Sequence, residues 1–488
     1  MKKKNILLFA MSMFLLVSCE GFLDVKPGNS APAETSITTA NDAGVVISGL
    51  MRKMASSDYY GRNFIIYGDA KGGDFAIRSQ GRGLDALYTF NHSASSSSYS
   101  GYWSQMYHCL LQVNNLLFNI NKLEKDGKGS AALSDYKGQA LTARAIIYFD
   151  LVRLYGKPYN MDKSSYGVPL ILEPIAFDDK PIRASVEQVY TQILKDLTDA
   201  APLLSKNIVK GFINYYANMA VQARVNLYMN NFAAALTAAE LVITSNKYSL
   251  YTNDKWVASW SSEFGSESIF EIAVNKEEAD LGTSSLGYYL MRKSQKTGAM
   301  GWFMASDYFL ARLANDPTDV RKGIMTYDET SSSRFGACLK YAGLELKGDK
   351  NDTPSATNIK VIRLSEVYLI AAEAALNSPT PNKVKAVSYL NAIRKRAPAI
   401  APATESTITM EMIEDERSKE LFAEGHRFFD MMRWNKTIEF NDDFISPAVQ
   451  IPHRTKTINR TFYKTILPIP KAELDANPAI VSQQNPGY

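Results

Sequence analysis

Two pairs of adjacent amphipathic helices, far apart in the chain, constrain the fold more than any other feature of this sequence. The first pair is predicted at residues 217–229 and 232–244, and the second at residues 364–376 and 383–396. Two-helix units of about 34 residues with small residues at the helix interface are typical of a tetratricopeptide-like (TPR-like) superhelix. The small residues that would let these helices approach closely are Ala220, Ala223, Ala235, Ala239, Ala371, Ala374, Ala375 and Ala386.

Further helices follow from apolar residues at three-to-four spacing and from capping residues. A helix at residues 40–55 is predicted to begin after Thr38 or Thr39, and one at residues 186–204 after Ser185. Two more are predicted at residues 103–123 and 139–155. Helices therefore account for most of the predicted structure.

Two regions lack this helical period. Residues 56–102 are rich in Gly, Asp, Ser and Tyr and are predicted to be loops. Residues 248–358 form a long insertion with a predicted strand at 268–274 and a helix at about 305–314. The predicted fold is mostly α: a TPR-like helical superhelix with large irregular loop-rich insertions and a few short strands.

The N-terminus has the pattern of an export signal. Lys2, Lys3 and Lys4 precede an apolar run at residues 6–17, which is too short to span a bilayer. Ser18 directly before Cys19, with Leu16 three positions before the cysteine, resembles the lipobox of bacterial lipoproteins. We therefore expect a signal peptide at 1–18, lipidation of Cys19 and a tether at 19–36; an ordinary signal with a chance cysteine is the alternative.

Composition disfavours several classes of function. The formal net charge is +4, and three of the lysines lie in the signal, so the mature chain is nearly neutral and a nucleic-acid partner is not expected. Only Cys109 and Cys338 remain after Cys19, which leaves room for one disulfide. Four scattered histidines offer no metal-ligand spacing, so neither a metal nor another cofactor is predicted.

Three glutamates spaced four residues apart, Glu416, Glu420 and Glu424, suggest a glycosidase, because those enzymes use paired carboxylates. Basic residues interleave with them at helical spacing, and this pattern is also that of a structural ion network. We favour the network and predict no enzymatic activity. The interleaved residues are Arg417, Lys419, Arg427 and Arg433.

Four passages together resemble the SusD/RagB family of outer-membrane nutrient-uptake lipoproteins. They are residues 19–27 (CEGFLDVKP), 144–156 (RAIIYFDLVRLYG), 416–434 (ERSKELFAEGHRFFDMMRW) and the C-terminal stretch 467–488. The resemblance divides the body into an N-terminal SusD-like helical part at 37–247 and a C-terminal SusD/RagB part at 248–488, packed as one unit. It also implies the TPR-like scaffold already indicated by the helix pairs.

The resemblance implies a cell-surface protein anchored in the outer membrane through Cys19. Such a protein would capture oligosaccharides and deliver them as a lid to a SusC-like TonB-dependent transporter. A peptide-binding, RagB-like member and, less favoured, a surface glycan hydrolase are the alternatives. A purely structural lid that leaves recognition to its partner is a further hypothesis.

A sugar ring presents flat C–H faces and a rim of hydroxyls, so its binder needs exposed aromatic rings and planar polar side chains. By analogy with starch-binding relatives, we expect two contributing regions: one near the helix that begins around residue 103, and one in the long insertion. The candidates in the first region are Asp74, Arg78, Arg82, Tyr99, Tyr102 and Trp103. Those in the second are Tyr288, Tyr289, Trp302 and Phe303, with core packing as the alternative for Trp103 and Trp302.

Overall fold

A computed structural model gives the architecture of the chain. It describes residues 37–78, 84–96, 100–176, 178–274, 281, 284–292, 299, 301–328, 330–331, 333–343, 357–446 and 455–488. Its α-helices are α1 (Ala40–Met54), α2 (Asn63–Ala70), α3 (Leu84–Tyr88), α4 (Ser100–Lys125), α5 (Ala131–Tyr155), α6 (Tyr159–Asp162), α7 (Val186–Ala200), α8 (Tyr215–Tyr228), α9 (Phe232–Ile243), α10 (Asn253–Trp256), α11 (Leu286–Leu290), α12 (Asp307–Ala314), α13 (Leu364–Asn377), α14 (Lys383–Arg394), α15 (Met410–Glu420), α16 (Arg427–Arg433) and α17 (Lys471–Ala476).

Short strands join in antiparallel pairs, each a two-stranded ribbon. The ribbons are β1 with β5, β2 with β3, β4 with β8, β6 with β7, and β9 with β10. Their bounds are β1 (Phe75–Ile77), β2 (Tyr166–Pro169), β3 (Arg183–Ser185), β4 (Ser268–Ile272), β5 (Phe303–Ala305), β6 (Met325–Thr326), β7 (Ala337–Cys338), β8 (Ile359–Arg363), β9 (Ile438–Glu439) and β10 (Thr457–Ile458).

Helix starts follow the predicted caps. The Thr39 hydroxyl accepts a hydrogen bond from the Asp42 N–H while the Asp42 carboxylate accepts from the Thr39 N–H, which forms a capping box at α1. Ser185 and Gln188 form the same arrangement at α7. Each box satisfies backbone donors that the first helical turn would otherwise leave unpaired.

The predicted helix pairs are confirmed. α8 packs beside α9, α13 packs beside α14, and α9 lies against α13, so the two pairs join although about 120 residues separate them in sequence. Ala235, Ala239 and Ala371 are fully buried at these contacts. α5 packs against α4 and α7 and extends the same helical body. The mostly α fold with few short strands is therefore correct.

The prediction of loops at residues 56–102 is wrong in part. Helix α2 lies inside this region, and every one of its residues is buried. A helix covered on all sides has no polar face, so its sequence carries no amphipathic period. A Cβ on Gly68 would lie 2.1 Å from the Gly425 carbonyl oxygen, so the glycine permits α2 to touch the turn after α15.

The C-terminus returns to the N-terminal helices. The Asn485 side-chain amide donates to the carbonyls of Tyr155 (2.8 Å) and Leu467 (2.6 Å). The Arg183 guanidinium donates to the Asn485 side-chain oxygen at 2.9 Å. These buried contacts give Asn485 in the C-terminal stretch a structural role, because its side chain joins that stretch to the end of α5.

Cys109 and Cys338 are both buried and free, so the disulfide left open by the sequence does not form. Burial raises the pKa of the Cys109 thiol to about 12 and that of Cys338 to about 11, which keeps both protonated. Within the described part of the chain, no helix is both long enough and apolar enough to cross a membrane.

Candidate functional site

The two predicted ligand regions meet at the ribbon of β1 and β5. Phe75 pairs with Ala305 and Ile77 with Phe303. Beyond the ribbon, the Arg78 N–H donates to the Trp302 carbonyl at 3.0 Å. The segment before α4 and the long insertion are therefore neighbours, as the analogy implied.

Most of the candidate rings in this region face the core. The Tyr102 ring is fully buried, and its hydroxyl donates to the Asn63 carbonyl at 2.9 Å. Trp103 is also buried, with its indole N–H donating to Glu473 at 3.2 Å and its ring 4.9 Å from the Tyr155 ring centroid. Tyr102 and Trp103 are corrected from ligand contacts to core residues, because neither offers an open ring face.

The same correction applies to three candidates in the insertion. Tyr289 and Trp302 pack against each other with ring centroids 4.9 Å apart, and both are buried. The buried Phe303 ring meets Tyr88 edge-on at 5.2 Å. These rings hold the insertion against the helical body, so a bound sugar cannot stack on them.

Asp74 is buried within an ion cluster instead of facing a ligand. Its carboxylate accepts hydrogen bonds from Arg312 (2.7 Å) and from the Ser418 hydroxyl (2.7 Å), and Arg427 lies 3.2 Å away. Burial by itself raises the pKa of Asp74, but Arg427 and Arg312 outweigh burial and keep that pKa below its ordinary value. Asp74 is therefore corrected to a structural anion.

Four sequence candidates remain. Arg78 and Tyr288 are half-buried, so part of each side chain reaches solvent beside the β1–β5 ribbon. Tyr99 and Arg82 lie outside the described residues. These four stay proposals for ligand contact.

A buried polar chain missed by the sequence prediction lies beneath this surface. Arg62 donates to the Tyr289 hydroxyl at 2.9 Å and to the Asn63 side-chain oxygen at 2.7 Å. The Asn63 amide in turn donates to Asp58 at 3.0 Å, and Asp58 is half-buried. This chain fixes the orientation of Tyr289 and ends at a carboxylate near solvent.

A second feature missed by the sequence prediction is an exposed pair of rings in the insertion, Tyr327 and Phe335, which we call the aromatic pair. Their ring centroids are 4.4 Å apart with planes inclined at 31°, and the residues are 47% and 45% exposed. They flank a run of serine and threonine between β6 and β7. Aromatic residues on both sides of such a polar turn were the signal in the sequence.

Buried charges hold the aromatic pair in position. Asp328 is fully buried and forms an ion pair with Arg334, and the Asp328 N–H donates to the Arg334 carbonyl at 3.2 Å. Arg334 also donates to the Ala305 carbonyl (2.6 Å) and to Asp307 (2.8 Å). The turn is thereby tied to the end of β5, so the two rings are presented on a rigid support.

This arrangement suits a carbohydrate. Two inclined, solvent-facing rings offer apolar faces to the C–H surface of a sugar, and a rigid support lowers the entropy lost on binding. The exposed carboxylate of Asp307, which accepts from Arg334, can also accept hydrogen bonds from sugar hydroxyl groups.

Two family models match separate parts of the chain. Residues 21–227 match a model described as "Starch-binding associating with outer membrane". Residues 328–488 match a model described as "SusD family". A curated relative, SusD-like protein P25 from Formosa agariphila, is 25% identical over the whole of both chains.

Solved structures extend the similarity over the body. A SusD superfamily protein from Bacteroides thetaiotaomicron is 32% identical with a TM-score of 0.83, covering 92% of this chain and 100% of that chain. The chain belongs to the SusD superfamily. A candidate sugar-binding protein from Bacteroides vulgatus is 34% identical with a TM-score of 0.84, covering 93% of this chain and 100% of that chain. That relative from Bacteroides vulgatus is described as sugar-binding.

The glutamates of this SusD superfamily member do lie in a buried ion network, but mostly with other partners than predicted. Lys419 pairs with Glu416, whereas Arg417 and Arg433 bind Asp430. Arg427 lies beside Asp74. Glu420 accepts from Arg363 (3.0 Å) and from the Trp256 indole N–H (3.2 Å), and Glu424 accepts from Arg363 and Lys340 at 2.7 Å. Burial raises the pKa of Glu424, yet Arg363 and Lys340 hold that pKa below its ordinary value. Buried, ionised carboxylates are unsuited to the general-acid step of glycoside hydrolysis.

Proposed function

We propose that this protein captures oligosaccharides at the cell surface and passes them to a SusC-like TonB-dependent transporter. The observation that carries the first part is the aromatic pair Tyr327 and Phe335, exposed on a rigid turn in a member of a carbohydrate-binding superfamily. Exposed aromatic rings of this kind offer faces on which the apolar face of a ligand can stack.

Binding in this proposal is non-covalent. A sugar ring rests on the aromatic pair, while Arg78 and Tyr288 provide further contacts beside the β1–β5 ribbon. Each stacked ring excludes water from an apolar face, and hydrogen bonds to hydroxyl groups set the orientation of the sugar. Tyr99 and Arg82 are proposed to extend this surface.

Delivery rests on anchoring. The family model over residues 21–227 is described as associating with the outer membrane, which supports a lipid anchor on Cys19. A diacylated cysteine binds a bilayer stably, whereas a single acyl chain gives only marginal binding. Residues 20–36 would then link the anchor to the body and let the body act as a lid on the transporter.

Calorimetry of residues 20–488 against soluble starch, laminarin and a mixed tryptic peptide pool tests the binding proposal. We expect a saturable response to a glycan, and the Tyr327→Ala, Phe335→Ala double variant should weaken it about tenfold through loss of two stacking faces. Phe118→Ala, which removes an exposed ring on α4, serves as the matched control and should leave affinity unchanged. Binding to peptides alone would identify a peptide receptor instead.

The anchor needs a separate test. Cells fed a clickable palmitate analogue should label the wild-type chain and not the Cys19→Ala variant. The variant should lose uptake of the glycan, while residues 20–488 retain full glycan affinity in the calorimeter. A labelled Cys19→Ala chain would contradict the assignment of Cys19.

A further inference from the structure

The face of the body next to the root of the tether carries exposed aliphatic residues. Val45 on α1 is 66% exposed, and Ile208 and Val209 in the loop before α8 are 48% and 54% exposed. Val45 and Val209 line one groove of about 400 Å³ between α1 and this loop. We call this surface, with Lys206, Lys210 and Lys247, the tether-root face.

Three lysines frame these aliphatic residues. Lys206 and Lys210 flank Ile208 and Val209 in the loop, and Lys247 lines an adjoining groove of about 210 Å³ together with Ile208, Val209 and Lys210. All three lysines are exposed, and no carboxylate among the described residues lies within ion-pair distance of them. The face therefore combines apolar side chains with three exposed lysines that form no ion pair with a described carboxylate.

The acidic groups nearby are already engaged. Asp42 caps α1 by accepting from the N–H groups of Thr38 and Thr39. Asp135 accepts from the Ser205 N–H at 2.6 Å and from the Gln139 side chain at 2.8 Å. A third carboxylate, Glu271, lines the groove of Lys247 but is buried and accepts hydrogen bonds from Ser268 and Asn358, whereas the three lysines are exposed.

The position of the face in the chain identifies its occupant. The described structure begins at Ile37, three residues before α1, and residues 20–36 are all that separate it from Cys19. Even fully extended, a segment of this length reaches only about 60 Å. The surface at the root of the tether therefore lies within reach of the bilayer.

We propose that the tether-root face rests on an anionic lipid surface, with Ile208 and Val209 entering the interface and the three lysines meeting lipid phosphates. Aliphatic side chains ringed by lysine are the pattern of interfacial membrane attachment. The acyl anchor keeps the body at high local concentration near the bilayer, so a face with only weak affinity for lipid is enough to orient the body. The inference rests on the Cys19 anchor proposed above, but its test does not.

A chain of residues 20–488 keeps every described residue and lacks the signal segment and Cys19. This chain is mixed with vesicles of phosphatidylcholine alone, or of phosphatidylcholine with phosphatidylglycerol, and the bound fraction is measured by sedimentation. At low salt we expect about fivefold more binding to the anionic vesicles, falling as salt is added.

Two variants locate the effect. Lys206→Glu with Lys210→Glu should reduce binding to the level seen with phosphatidylcholine, and Val209→Asp should reduce it severalfold. The matched control is Val384→Asp, since Val384 is 61% exposed on α14 between Lys383 and Lys385, away from the tether root. Thermal unfolding of each variant checks that the body remains folded.

Equal binding to both kinds of vesicle, or charge variants that sediment like the wild type, would overturn the proposal. If those variants also lost co-purification with the transporter from cells, the tether-root face would be assigned to the transporter instead. Failure of palmitate labelling at Cys19 leaves this vesicle result intact, so the two proposals fail separately.

Discussion

The helix pairs and the long insertion are stabilised in different ways. In the pairs, neighbouring helices bury small and apolar side chains along their whole length, as at Ala235 and Ala371. In the insertion, short ribbons are fixed by a few buried charges from distant parts of the chain, such as Arg363 between Glu267 and Glu420. Packing in the pairs is spread over many contacts, whereas the insertion depends on single residues.

The largest effect is expected at Arg363. This buried guanidinium binds Glu267, Glu420 and Glu424 together, so Arg363→Met leaves three carboxylates without their main partner. We expect urea denaturation to show a loss of about 3–5 kcal/mol in the free energy of unfolding. Lys195→Met removes an exposed pair with Asp199 and should cost less than about 1 kcal/mol. If the two variants lost the same free energy of unfolding, the buried ion network around Arg363 would not stabilise the insertion more than an exposed ion pair does.

Two phenylalanines of the insertion, Phe303 in the core and Phe335 on the surface, allow a direct comparison of buried and exposed rings. Phe303→Ala empties a buried site between Phe75 and Tyr88 and should cost about 3–5 kcal/mol in unfolding free energy. Phe335→Ala removes an exposed ring and should change stability by less than about 1 kcal/mol. Thermal and urea unfolding of both variants measures the difference. A stable Phe303→Ala protein with weakened glycan affinity would restore Phe303 as a ligand contact.

The helix pairs are tested by overpacking. Ala235 on α9 is fully buried, so Ala235→Leu forces neighbouring helices apart and should cost about 1–3 kcal/mol. Ala234→Leu places the same side chain on the exposed side of the same helix and should be nearly neutral. Urea unfolding of the two variants gives the comparison, and similar values would show that α9 does not pack as closely as described.

Acid should lower the free energy of unfolding of the helix pairs. In the pairs, burial raises the pKa of Glu366, but Arg224 and His426 outweigh burial and lower it to about 2. A folded pKa below the ordinary value of 4.5 adds stability above pH 4.5, and that stability is lost as the pH falls towards 2. Glu366 alone should account for a loss of about 2 kcal/mol between pH 5 and pH 3.

Urea unfolding at pH 5 and pH 3 measures this dependence, and Glu366→Gln should flatten it. Glu187→Gln, in an exposed pair with Lys163, is the control and should keep the wild-type slope. An unchanged slope in Glu366→Gln would mean that other carboxylates carry the acid sensitivity.

The helical body was predictable because its information is local. Ser185 identified the start of α7, and alanine spacing identified the pairs α8–α9 and α13–α14. α2 escaped prediction because a helix buried all round has no polar face. What could not be predicted from the sequence was the set of contacts between residues distant in the chain.

The candidate site shows this most clearly. Trp302 and Arg78 are neighbours beside the β1–β5 ribbon, but the direction of a side chain in this region depends on partners such as Arg62 and Tyr88, which no local pattern specifies. Tyr102, Trp103 and Phe303 therefore proved to be buried. The exposed Tyr327 and Phe335 were overlooked because their short ribbon is fixed by Arg334, whose contacts with Asp307 and Ala305 are also non-local.

The ribbon of β4 and β8 has a consequence for how this protein can diversify. Ile272 pairs with Ile359, so residues 273–358 leave this ribbon and return to it at neighbouring positions. Arg363, at the other end of β8, leads directly into α13. Segments with adjacent ends can change in length and chemistry without shifting the scaffold that holds them. Neither matching family model extends over residues 228–327, which include much of this segment. A change within this segment can thus alter its surface while the packing of the helix pairs is retained.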